Sequence, residues 1–169
     1  MTLAFRPLLL GLFLAASAIL PGASVALAGD REVALLASFA GSWRGKGDIA
    51  GDNPGTVVCR MNLKAGNAGK LSYNGRCSFG QGVASFAGTM LYNDATRRYE
   101  AVTTARGQSA TSVGKPTANG VTFTTSSTDE QVGKVTSTIA LSGDKITLSF
   151  QMTDPSGEKT ASSIDFART

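Results

Sequence analysis

Histidine is absent from the 169 residues. That excludes Ser-His-Asp and Cys-His catalysis and every zinc or copper site that needs an imidazole. Only two cysteines occur, Cys59 and Cys77. If they pair, no thiolate remains as nucleophile or metal ligand. The chain also lacks a dense Lys/Arg run, and its formal charge of +4 is dispersed, so nucleic-acid binding is not expected. Its twelve acidic residues are scattered, many beside turns, as in "NDATRR", "SGDK" and "DPSGEK". Carboxylate catalysis would need a pair such as Asp48/Asp52 or Asp129/Glu130, and both read as loop charges. No enzyme activity, cofactor or metal is expected. Aromatic residues make up only 7%, with a single tryptophan, Trp43, so the interior must be thinly packed or partly polar.

One apolar run is present, and it stands at the start. "MTLAFRPLLLGLFLAASAILPGASVALAGD" has Arg6, an apolar stretch from Leu8 to Leu20, and then Ala26-Leu27-Ala28. This is the layout of a secretory signal peptide, expected over residues 1–28. The apolar stretch is shorter than the roughly 20 residues a bilayer span needs. Cleavage after Ala28 would leave Gly29–Thr169 as one exported domain, periplasmic or secreted, without a transmembrane span and monomeric. No cysteine stands near the cleavage point, so lipid attachment there is excluded. In an oxidising compartment Cys59 and Cys77 read as one disulfide.

Residues 29–41 predict a short helix, with Asp30 as cap, Val33, Leu36, Phe39 and Ala40 on one face, and Gly41 as its end. From residue 42 to 169 the pattern is β. Clear strands are expected at 56–64, 70–79, 120–128, 134–142, 144–153 and 160–168. Weaker runs lie at 42–50, 82–92, 96–106 and 109–115. In "DKITLSFQM" the residues Ile146, Leu148, Phe150 and Met152 alternate with Thr147, Ser149 and Gln151, the signature of a half-buried strand. Turn clusters recur about every ten residues, which predicts a meander closing into a barrel or sandwich of eight to ten strands.

The cysteines fix a register. If Cys59 faces Cys77 across an antiparallel hairpin, Val57 faces Phe79, Met61 faces Gly75, and Leu63 faces Tyr73. The opposite face then pairs Arg60 with Arg76, Asn62 with Asn74, and Lys64 with Ser72. One face is apolar or glycine and the other polar, and a one-residue slip would destroy both. The disulfide therefore belongs inside. Outside, Arg60 and Arg76 stand opposite each other, and Arg44 and Lys46 join them if the strand at 42–50 flanks this hairpin. The four form a candidate anion-binding patch on the outer wall.

The stretch "FAGSWRGKG", a short helix and then Gly-x-Trp opening the first strand of a meander, resembles the calycin superfamily, which includes lipocalins, fatty-acid-binding proteins, avidins and Inh-type metalloprotease inhibitors. The resemblance implies an up-and-down barrel with Trp43 plugging its closed end beside Gly41. It also implies a basic residue of the last strand across that indole, here Arg168 of "IDFART". "GSWRGKG" with "VVCRMNLKAGNAGKLSYNGRCSFG" is in addition similar to short exported proteins of alphaproteobacteria. The function these features imply is non-enzymatic binding of a small hydrophobic or amphipathic ligand in or at the barrel. Its expected lining is Met61, Leu63, Tyr73, Phe86, Phe123, Ile139, Phe150 and Met152. Two alternatives are an Inh-like protease inhibitor, acting through a flexible segment 29–40, and a module contacting envelope or host proteins without a small ligand.

Overall fold

The computed structural model describes residues 29–52, 54–80, 82–130 and 133–169. The expected leader, 1–28, lies outside them. A helix, α1 (Asp30–Ser38), leads into ten strands: β1 (Gly41–Gly51), β2 (Gly55–Ala65), β3 (Leu71–Phe79), β4 (Gly82–Asn93), β5 (Arg98–Ala105), β6 (Gln108–Thr117), β7 (Gly120–Asp129), β8 (Gly133–Ser142), β9 (Lys145–Thr153) and β10 (Lys159–Arg168). Each strand pairs antiparallel with the next, and β10 returns to β1. The result is a closed up-and-down barrel, the form the calycin resemblance implies, where the turn spacing leaves barrel and sandwich open. Closure removes the sheet edges wherever neighbouring strands are paired, edges that would otherwise invite pairing with other chains.

Alternation builds the wall. Along β2, Val57, Cys59, Met61 and Leu63 are buried, while Thr56, Val58 and Arg60 face outward. Against β3 the register is the expected one: Cys59 opposite Cys77, Met61 opposite Gly75, and Arg60 opposite Arg76. Cys59 and Cys77 are bonded, with Cα atoms 4.1 Å apart, and both are buried on the inner face. Gly75 is required there because the Phe86 ring of β4 lies within 2.2 Å of where a Cβ would stand.

The helix departs from expectation at both ends. Asp30 is not its cap: Gly29 holds that position at φ 113, and its carbonyl accepts the Val33 amide at 2.8 Å. Asp30 and Glu32 instead occupy the first turn, where carboxylates complement the helix dipole. Nor does Gly41 end the helix. The helix stops at Ser38, Phe39 caps it, and Gly41 opens β1 at φ 142. That positive φ suits glycine, and a Cβ there would meet the Arg168 guanidinium.

Candidate functional site

The two ends of the barrel differ. At one end Leu36 and Phe39 of the helix segment are fully buried against the core. Trp43 is 1% exposed, and its indole Nε1–H donates to the Phe39 carbonyl at 3.0 Å. The Arg168 guanidinium lies over the indole, with its carbon 4.4 Å from the ring centroid. It also donates to the Ser38 carbonyl at 2.8 Å and to the Ala40 carbonyl. The last strand thus clamps the helix to the first, a stacked cation that also satisfies the helix's terminal carbonyls. Segment 29–40 is anchored by these contacts, which is the opposite of the loose inserting arm that the inhibitor expectation requires.

At the other end several inward side chains of β1 and β7 to β9 are only half covered. One inward row runs across Ile49, Ser162, Phe150, Ser137 and Thr125. The next row contains Thr160, Met152 and Val135. Within these rows Ile49, Phe150, Ser137, Thr125, Met152 and Val135 are all partly exposed. Ser162 is buried, and its Oγ has no hydrogen-bond partner among the described residues. The β6–β7 ladder is incomplete here. β6 and β7 pair only from Gly114–Phe123 to Thr117–Gly120, the stretch nearer the helix. Beyond Gly114 and Phe123, the ladder pairs among the described residues join β6 to β5 and β7 to β8.

The eight expected lining residues divide accordingly. Met61, Leu63, Tyr73, Phe123 and Ile139 belong to the buried core. Phe86 is half-buried, packed on Gly75 and 6.3 Å from the Tyr73 ring centre. Phe150 and Met152 face the lumen half-buried and stand apart from the core. Tyr73 adds an internal hydroxyl pair near the middle, with Thr103. Burial raises its phenol pKa, and the Thr103 hydrogen bond opposes the rise in part.

A second concavity lies on the outside, across β1 to β5. It is a groove of about 920 Å³ walled by Arg44, Arg60, Asn62, Asn74, Arg76, Ser85 and Arg106. Arg44, Arg60 and Arg76 form one cross-strand row that continues to Ser85. One step beyond the Phe86–Ala105 pair, the same register sets Arg106 opposite Ser85. Lys46, expected in this patch, does not border the groove. It sits two residues further along β1, opposite Asp165 of β10. Arg106 was not expected in the patch; the run expected at 96–106 ends one residue earlier, at Ala105, and Arg106 belongs to the two-residue turn Arg106-Gly107. Both turn residues have positive φ, 51 and 77, the I′ hairpin geometry.

No cluster of three or more His, Cys, Asp or Glu residues that could hold a metal occurs among the described residues. Asp48 points outward from β1, and Asp52 follows it in an exposed bend. No helix among the described residues is long and apolar enough to cross a membrane. Chemically, the molecule offers an apolar, hydroxyl-dotted lumen and a cationic outer groove.

Fold and closure together define a calycin-like barrel. Among solved structures it is similar to Rv2717c from M. tuberculosis, with a TM-score of 0.60 at 16% identity over 82% of this chain and 96% of that one. It is also similar to the S-type phycobiliprotein lyase CPES from Guillardia theta, with a TM-score of 0.58 at 13% identity over 83% and 93%. No family model and no curated protein matches the sequence. At these identities the likeness is one of fold.

Proposed function

We propose that this chain is an exported, non-enzymatic binding protein that takes a small amphipathic ligand in the open end of its barrel. The observation that carries this reading is the pair Phe150 and Met152, inward, half-buried and apart from the core. Apolar surface left uncovered inside a barrel gains about 25 cal/mol per Å² when a ligand covers it. The unpartnered Ser162 Oγ one strand away supplies a hydrogen-bonding point, as expected of a site with few convergent polar groups. The stretch of the β6–β7 wall without ladder pairs is the weakest part of the wall and offers a way in. The internal disulfide and the leader-like N-terminus support export, and the lack of histidine and free thiol supports a role without catalysis.

The test is fluorescence titration of residues 29–169, disulfide intact, with a dansyl-labelled medium-chain fatty acid. Saturable binding weakened about tenfold or more by Phe150→Ala with Met152→Ala, a loss of about 1.4 kcal/mol, supports the reading. Equal affinity in the variant, or no saturable binding to the parent, contradicts it.

A further inference from the structure

We infer that the outer groove is a second, separate site for a ligand carrying two or more phosphate groups spaced about 5–10 Å apart, the spacing of neighbouring strands and their next neighbours. Directly opposed like charges destabilise a sheet, and here Arg44, Arg60 and Arg76 stand side by side on three adjacent strands, with Arg106 beyond Ser85. Two other wall cations have an acid beside them. Arg98 pairs with Glu100 at 2.9 Å, and Lys46 lies opposite Asp165. The row has no such relief: its ends lie beside Ala167 and in the β5–β6 turn. Among the described residues no ion pair or hydrogen bond engages any of its four guanidinium groups.

Chemistry narrows the ligand. Guanidinium forks match phosphate oxygens bidentately, and a row of them at strand spacing suits several phosphates rather than one carboxylate. Asn62, Asn74 and Ser85 line the same groove with neutral donors. Arg106 occupies a positive-φ turn position where Asn, Asp or Gly is the usual occupant, and there its side chain joins the row. The groove is about 920 Å³, within the range of small-ligand sites. It lies on the outer face of the sheet, so occupation of one site leaves the other free.

Calorimetric titration of residues 29–169 with inorganic tripolyphosphate tests this, comparing the parent, Arg60→Gln with Arg76→Gln, and Lys159→Gln as an exposed control. Expected are saturable binding to the parent, loss of about tenfold or more in the double variant, no change in the control, and weakening as salt shortens the screening length. Circular dichroism confirms that the variants are folded. Binding that is absent in the parent, or equal in parent and double variant, overturns the proposal. A parallel arm sediments the protein with phosphatidylglycerol or phosphatidylcholine vesicles. Retention on the anionic vesicles alone, lost in the double variant, assigns the phosphates to a lipid surface. Tripolyphosphate binding without retention assigns them to a soluble ligand.

Discussion

Trp43 is a structural residue, although a lone tryptophan beside basic residues could suggest a contact site. It is covered by Arg168, tied to the Phe39 carbonyl, and 1% exposed. Trp43→Ala should cost about 3–5 kcal/mol, the range for large-to-small changes in a core, measured as a shift in urea unfolding by circular dichroism. A variant as stable as the parent would show that the indole does not plug the barrel. Tyr73 makes a second prediction. Its folded pKa is raised above 10.0 by burial, so the native state favours the neutral phenol. The stability it contributes is complete below pH 10.0 and falls as pH rises through the folded value. Equilibrium unfolding from pH 8 to 11 should show that decline, and Tyr73→Phe should flatten it. An identical decline in the variant would assign it to other groups.

Among elements, the β2–β3 hairpin was the most legible in sequence, because one cross-link and two polarity faces over-determine its register. The other strands were legible from the period of two, which depends on which face is wet rather than on distant partners. The helix start was not, since the cap is made by Gly29 backbone at φ 113, and no side-chain pattern announces it. Arg106 was hidden for a related reason: a turn residue joins a strand row only once the register of both flanking strands is known. Neither could sequence separate Phe123 from Phe150. Both face inward, and their distance from the helix-closed end decides that one is core and the other half-exposed. The disulfide carries the third prediction. Replacing Cys59 and Cys77 together by Ala should lower stability by about 3 kcal/mol in the chain-entropy account, read from the urea midpoint, with the barrel's circular dichroism retained. No loss of stability would mean that the hairpin register is held by its two faces alone.

The whole molecule is a tube with one end shut by a helix and an arginine clamp and the other left thinly packed. Half-buried apolar side chains, a buried hydroxyl without a partner among the described residues and an incomplete β6–β7 ladder all fall at that same end. Their coincidence makes ligand binding the central claim. The most direct measurement is two-dimensional NMR of the isotope-labelled chain 29–169 titrated with decanoate. The account predicts shift changes that saturate and concentrate on the Met152 methyl, the Ile49 methyls and the amides of Phe150, Ser162, Ser137 and Thr125, with Trp43 unmoved. An unchanged spectrum, or changes that avoid these inward rows, would contradict it.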